Sequence, residues 1–323
     1  RFKTFTGVFE GIDVTKKADK AKMRYGFIMI TTDADKDGQH ILMLRLNYIY
    51  RRFKSLIDEG MVGYIETPYA RALKGKGKSE KCIAVFRNEN ELQNWLDENK
   101  SWFNSNEGGH KIKYYKGLAS SRPHDIKQDI DNAPVVVVVC DDSALDSLNL
   151  AFGLKNEDRR KEWISKWRNA TGIRDVVLER ASKHKNLFQR DITTLCNYNL
   201  IDYSKETYFR ALPSFEDGLK ESQRKALYYA LLKWSFGNGR ASSDKTGRIA
   251  SECASKTAYH YNENCLTDTY TRMAQEFTGS HNMGYFSPEG LLGTRHEGGK
   301  DAGACRYTEI DIAPWIKYVY DRD

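Results

Sequence analysis

Three aspartates at alternate positions, Asp33, Asp35 and Asp37, follow the apolar run Phe27-Ile28-Met29-Ile30 and end at Gly38. Like charges this close repel one another, and their grouping costs stability unless a cation neutralises them. Carboxylate oxygens are hard ligands, so hard divalent ions suit them, Mg²⁺ above all. The carboxyl end of a strand in an α/β sheet is also where such folds place chemistry. Three rival readings compete. D-x-D-x-D-G opens an EF-hand calcium loop, but the twelfth position, which needs Glu, is Leu44, and the preceding element reads as a strand. A solvated turn with an accidental charge cluster is the plain alternative, set against acids that abut a buried strand rather than a polar tract. Gly77-Lys78-Ser79 ends like a Walker phosphate loop, which requires glycine where Ala72 stands, and that reading fails.

The elements that must position this turn are legible in outline. Phe27–Ile30 is short, apolar and partly β-branched, as a buried strand is. Leu42, Leu46, Ile49, Phe53 and Leu56 recur at helical spacing and predict a long helix after the turn, with Gly60 at its C-terminus. Val62–Thr67 and Cys82–Phe86 read as strands, with Leu73–Lys81 as an exposed hairpin loop between them. A helix over Glu89–Leu96, a polar loop over Asn104–His110, a strand over Lys111–Tyr115 and a buried strand over Val135–Val139 follow. Strands alternating with helices predict an α/β domain. Asp158–Asn169 reads as a charged helix, and Gly172–Asn199 as a connection between domains. Beyond it, Ser222 is expected to cap a helix whose apolar face is Leu227, Ala230, Leu231 and Trp234. A loop over Gly237–Gly247 leads to a helix from Ile249 to about Ala258, and a third helix carries Leu266, Tyr270, Met273 and Phe277. Met283–Phe286 and Leu291–Thr294 are expected to pair as a β-hairpin about Ser287-Pro288-Glu289-Gly290. Three short helices and a hairpin are the order of a winged helix-turn-helix.

The 323 residues suffice for one large or two ordinary domains. Hydrophobic residues make up 40% and charged residues 29%, which is globular rather than disordered composition. No apolar run is long enough to span a membrane, and the N-terminus has no secretory pattern, so a non-exported protein is expected. Lys and Arg number 51 against 44 Asp and Glu, a formal charge of +7 that favours a polyanionic partner without demanding one. The six cysteines (Cys82, Cys140, Cys196, Cys253, Cys265, Cys305) form no C-x-x-C pair, which argues against a zinc cage and for a reducing compartment.

Six segments, taken in order, resemble the type IIA DNA topoisomerases, the eukaryotic and large-virus branch more than bacterial gyrase. ITTDADKDGQHI resembles the acidic metal motif of the family's Toprim domain. YYKGLASS resembles its YYKGLGTS segment, with Ala119 in place of a glycine, and DRRKEW follows. ALPSFEDGLKESQRKALY resembles the start of the winged-helix domain. TAYHYNE resembles TAYHHGE, with Tyr261 in place of the second histidine. GTRHEGGKDAGACRY resembles the loop that ends in the cleavage tyrosine. The family's upstream E-G-D-S motif has no good counterpart, since Glu10-Gly11-Ile12-Asp13 lies too close to Asp33. The ATPase domain, tower and C-terminal gate have none either, so the chain is expected to be the central part of a longer enzyme.

The resemblance implies an α/β Toprim-like domain, a parallel sheet with flanking helices, over residues 1–170. A connecting segment over 171–205 and an α+β winged-helix domain over 206–323 follow. It implies ATP-dependent passage of one duplex through a transient double-strand break in another. Tyr307 would be the nucleophile and form a 5′-phosphotyrosyl link, Arg306 would stabilise the transition state, and His260 would act near the scissile phosphate. Asp33, Asp35 and Asp37 would hold Mg²⁺, with Mn²⁺ or Ca²⁺ able to substitute in binding; ATP would serve the full-length enzyme only. Lys116, Gly117, Lys220, Arg224, Lys225, Arg295 and Lys300 would contact double-stranded DNA, with no membrane involved. The full-length enzyme would be a homodimer that joins the tyrosine of one protomer to the metal site of the other. Its location would be the nucleus, or for a large virus the cytoplasmic replication factory or virion. A Toprim-type nuclease or primase relative with Tyr307 idle, and a non-catalytic basic DNA-binding module, are the alternatives.

Overall fold

The computed structural model describes residues 7–75, 80–100, 110–115, 123–168, 179–180, 187–234, 243–259, 261–281 and 283–320. The chain divides into two compact units, Arg1–Glu206 and Thr207–Asp323.

The first unit is built on a β-α-β crossover. Strand β1 (Ile28–Ile30), helix α1 (Lys36–Asp58) and strand β2 (Val62–Ile65) follow one another, and β1 pairs parallel with β2, Ile28 opposite Val62. The expected apolar stripe of α1 is buried throughout, with Leu42, Leu46, Ile49, Phe53 and Leu56 in the core. The helix is kinked at Phe53 (φ −144°, ψ 45°), whose ring meets those of Phe9 and Tyr48 edge-on. Gly60 takes the left-handed conformation (φ +65°) that ends such a helix most cheaply.

A small antiparallel sheet follows, with β3 (Ala70–Lys74) between β4 (Lys81–Phe86) and β5 (Lys111–Tyr114). Helix α2 (Glu89–Glu98) packs Leu92 and Trp95 against it, and Asn88 caps that helix by accepting from the Glu91 N–H at 2.9 Å. Strand β3 replaces the first part of the loop expected over Leu73–Lys81. Its sequence, Ala-Arg-Ala-Leu-Lys, has no β-branched residue, and what makes it a strand is a pairing partner on each side. Arg71 is buried there, with its guanidinium 5.7 Å from the Tyr115 ring centroid.

Helix α3 (Pro123–Asn132) leads into β6 (Val135–Val139), which pairs antiparallel with β2. Helices α4 (Ala144–Phe152) and α5 (Glu157–Arg168), strand β7 (Glu179–Arg180) and strand β8 (Leu187–Asp191) come next, and β8 pairs parallel with β6. The main sheet, in the order β1-β2-β6-β8-β7, is therefore mixed: its two parallel pairs are joined by an antiparallel one, and β7 is an antiparallel edge. The segment 171–205 is not simply a connector, since β8 completes the sheet. Ile192 and Leu195 of α6 (Ile192–Leu195), and Cys196 of the π-helical turn after it, are core residues of the first unit. Short apolar pieces separated by polar residues show no period long enough to reveal this in sequence.

Helix α7 (Ile201–Ala211) begins in the first unit and ends in the second. The second unit packs α8 (Glu221–Lys233), α9 (Thr246–Lys256) and α10 (Glu263–Met273) against a three-stranded sheet of β9 (Asp244–Lys245), β10 (Phe286–Glu289) and β11 (Glu309–Ile312). Leu227, Ala230, Trp234, Leu266, Tyr270 and Met273 share its core. Two expectations are corrected. Helix α8 starts at Lys220 rather than Ser222, where Gln223 Oε1 accepts from the Lys220 N–H at 2.9 Å. The hairpin about Ser287–Gly290 does not form. Ser287 and Pro288 belong to β10, whose partner is β11, and Leu291–Thr294 opens a long loop instead. Strand β10 lies at the edge of its sheet, the one position where proline interrupts no ladder. Lys233 Nζ joins Asp244 at 2.5 Å to Glu252 at 2.6 Å, and Tyr229 donates to the same Glu252, so α8, β9 and α9 are tied by one charged network.

Ala258, just past the end of α9, has φ +48°. A side chain is strained in this left-handed position and glycine is not. Ala258→Gly should therefore stabilise the second unit by about 0.5–1 kcal/mol, read as greater hydrogen-exchange protection in α9.

Candidate active site

The acidic turn sits at the carboxyl end of β1, between that strand and the first turn of α1. Asp35 is the N-cap of α1, and its Oδ1 accepts from the Gly38 N–H at 2.7 Å. A carboxylate here also answers the positive end of the helix dipole, which offsets part of the repulsion among the three acids. Gly38 is buried, and a Cβ on it would lie 2.1 Å from the Asp33 carbonyl oxygen. Only glycine lets the helix begin this close to the strand end. Thr67 fixes the other side, its hydroxyl donating to the Thr32 carbonyl at 3.0 Å. Burial pushes the His40 imidazole below its ordinary range despite the opposing pull of Asp37, so at neutral pH the ring adds no positive charge to the turn. His40 stacks on Tyr203 at 4.0 Å, and Lys36 pairs with Asp202 at 2.9 Å.

Among the described residues, no three His, Cys, Asp or Glu side chains stand together as a ready-made metal cage. The sequence expectation of a converged trio is corrected to that extent, because Asp35 is turned to its capping bond. The donors still suit a hard divalent ion by chemistry and by their place at the strand end. Binding would require Asp33 and Asp37 to rotate toward it.

Tyr307 lies in the second unit, on the long loop between β10 and β11. It is 73% exposed, and the Arg306 guanidinium is 4.8 Å from its ring centroid. An exposed side chain on a loop of nineteen residues (290–308) is held only if the loop is, and here buried polar groups hold it. Gln275 is 6% exposed and donates to the carbonyls of Leu292 at 2.8 Å and Gly299 at 3.1 Å. A Cβ on Gly299 would lie 2.4 Å from the Gln275 side chain, and one on Gly293 would lie 2.7 Å from Gly299 Cα. Both glycines also have positive φ (+77° and +107°), so the loop could take no other residue at either place without moving. Asp301 accepts from the Thr294 N–H and hydroxyl, each at 2.8 Å, which closes the Gly-rich bend. On the far side of Tyr307, the Thr308 carbonyl accepts from the Thr246 N–H at 3.0 Å, anchoring the loop to the start of α9. Sequence reasoning missed Gln275, Thr246 and Thr308. Their partners are distant in sequence, and no spacing rule marks them.

The cations separate into two groups. Arg295 and Lys300 are exposed on the Tyr307 loop and line a groove of about 1010 Å³ whose other wall includes Thr267, Thr271 and Arg272 of α10. Lys220, Arg224 and Lys225 stand at the start of α8. Lys220 is exposed there, whereas Arg224 grips Asp217 through two bonds of 2.7 and 2.9 Å and Lys225 pairs with Glu221 at 2.8 Å. The Arg224 fork thus closes the bend about Gly218, a role its place in the motif does not reveal. Lys116, Gly117 and His260 lie outside the described residues.

The model of the family described as C-terminal associated domain of TOPRIM matches residues 65–208, and the model for the gyrase A protein family, DNA gyrase/topoisomerase IV, matches residues 210–323. The fold and both sites thus define a Toprim-like unit followed by a winged-helix unit. The chain is similar to DNA topoisomerase 2 of Invertebrate iridescent virus 6, 32% identical over 322 residues, which are 97% of this chain and 27% of the viral protein. It is similar to DNA topoisomerase 2 of Plasmodium falciparum (isolate K1 / Thailand), 33% identical over 96% of this chain and 21% of that protein. Its structure resembles the crystal structure of the Plasmodium falciparum topoisomerase II DNA-binding, cleavage and re-ligation domain with a TM-score of 0.71, at 32% identity over 96% of this chain and 40% of that one. The chain belongs to the type IIA DNA topoisomerases. It spans about a quarter of the length of the viral relative. No helix among the described residues is long and apolar enough to cross a membrane.

Two outcomes test this geometry. Gly38→Ala should displace the acidic turn from the β1 end, seen as lost exchange protection at the first turn of α1. The bonds from Thr294 hold the Asp301 carboxyl below its ordinary value of 3.8. A carboxylate whose folded value is depressed contributes stability above its unfolded value and loses it as pH falls through the folded one. The Thr294 amide should therefore stay protected from neutral pH down to the ordinary carboxylate range and lose protection below it. In Asp301→Asn the acid-dependent step should vanish.

Proposed function

We propose that this chain is the DNA cleavage and religation core of an ATP-dependent type II topoisomerase, opening one duplex transiently so that another can pass. The observation that carries the reading is Tyr307: a large phenol left in solvent, on a loop held by buried hydrogen bonds, beside a guanidinium. An exposed tyrosine with no job has no need of such bracing.

The Tyr307 oxygen attacks a backbone phosphorus in line as the phenolic proton departs to solvent or a neighbouring base. The bond from phosphorus to the 3′ oxygen breaks, and that oxygen leaves as a hydroxyl once it is protonated. The product is a 5′-phosphotyrosyl link, and attack by the 3′-hydroxyl reverses the step. Arg306 offers its planar fork to the non-bridging oxygens, where charge accumulates. His260 would act near the same phosphate. Asp33, Asp35 and Asp37 would hold Mg²⁺, or Mn²⁺ or Ca²⁺ in binding, and a bound divalent ion supplies charge stabilisation to phosphate oxygens. Lys116, Gly117, Lys220, Lys225, Arg295 and Lys300 would position the duplex through its phosphates, and Arg224 would support them by shaping the bend before α8. The longer protein would act as a homodimer, with tyrosine and acidic turn paired across protomers, and would use ATP. Nuclear DNA, or viral DNA in a cytoplasmic factory, is the matching substrate.

The test is covalent capture. The chain, mixed with Mg²⁺ and a nicked, 5′-labelled suicide duplex, should acquire label on Tyr307, and Tyr307→Phe should acquire none. Cutting that persists in Tyr307→Phe without any label would replace this reading with a Toprim-type nuclease. Binding of DNA with neither cutting nor label, in a version extended upstream, would leave a DNA-binding module.

A further inference from the structure

We propose that Asp202 is a positioning residue for the acidic turn: it draws the Lys36 ammonium away from the carboxylates that would take a divalent cation. The inference rests on the reading of that turn as a metal site and concerns residues that this reading leaves unused. Lys36 stands in sequence between Asp35 and Asp37, which is an awkward place for a fixed positive charge. An ammonium that folds back onto neighbouring carboxylates acts as an internal counter-ion and competes with any metal. The structure shows it directed elsewhere. Lys36 Nζ lies 2.9 Å from Asp202 Oδ2, with both side chains partly shielded, at 41% and 32% exposure.

A second contact makes this direction a built feature. One turn further along α1, the His40 ring stacks on Tyr203, the residue after Asp202, with ring centroids 4.0 Å apart and planes within 13°. Asp202 and Tyr203 both lie in the first turn of α7, so two successive residues of that turn grip two successive turns of α1. Stacking fixes where α7 lies along α1, and this sets the Asp202 carboxylate within reach of Lys36 on the side away from the strand end. The acidic residue near the N-terminus of α7 is favoured there by the helix dipole and stays charged, so it can hold the lysine continuously.

The experiment is calorimetric titration of the whole chain with Mg²⁺ alone, for wild type, Asp202→Asn, Lys36→Gln and the double variant. Asp202→Asn should weaken Mg²⁺ binding about threefold to fivefold, the scale of one partly exposed charge pair. Adding Lys36→Gln should return affinity to within about twofold of wild type, since the competing charge is then gone. Lys36→Gln alone should bind at least as tightly as wild type, and because it needs no ion pair it reads the effect without the partner. Unchanged affinity in Asp202→Asn would overturn the inference, and so would a double variant as weak as Asp202→Asn. If wild type binds no Mg²⁺, or binds it equally well after Asp35→Asn, the metal reading of the turn fails and the inference falls with it. Those results differ from failure of the inference alone, in which wild type binds through Asp35 and Asp202→Asn changes nothing.

Discussion

The Gln275 amide, buried beneath a glycine-rich loop, is the interaction on which the candidate chemistry depends. A nucleophile must face solvent to meet a large substrate, yet exposure normally brings mobility. The second unit separates these demands. Tyr307 itself makes little contact, while the chain before it is tied to Gln275 and Asp301 and the chain after it to Thr246. The glycines of the loop permit that bracing, since a Cβ at Gly293 or Gly299 would occupy the space used by the loop itself or by the amide.

The acidic turn meets the opposite difficulty, three like charges that must be kept together. Its answer is local. A helix N-terminus faces the acids, Asp35 satisfies an amide that would otherwise lack a partner, and Gly38 brings the helix up against the strand end. Lys36 is the one cation within the motif, and its pairing with Asp202 keeps the local field negative. In both units, then, a strained or repulsive functional segment is made rigid by neighbours that take no part in the reaction.

These supports explain the uneven legibility of the chain. The βαβ crossover could be read because a five-residue apolar stripe and a β-branched run are periodic signals. The acidic turn and Tyr307 could be picked out because residue type and local order mark them. Strand β3 escaped because alanine and arginine carry no strand preference, and two flanking strands override that. The hairpin failed because Ser-Pro-Glu-Gly looks like a turn by composition, whereas pairing with Glu309–Ile312 makes its first three residues the end of a strand.

By itself the sequence determined the composition class, the α/β-then-winged-helix order, and the residues able to do chemistry, because these rest on local pattern and side-chain type. Only the tertiary structure decided that Arg224 is spent on Asp217, that residues 187–200 complete the first unit, that Gln275 holds the tyrosine loop and that Lys36 turns to Asp202. Each of those depends on a partner brought close by folding, and no periodicity within a segment encodes the distance to a residue far away along the chain.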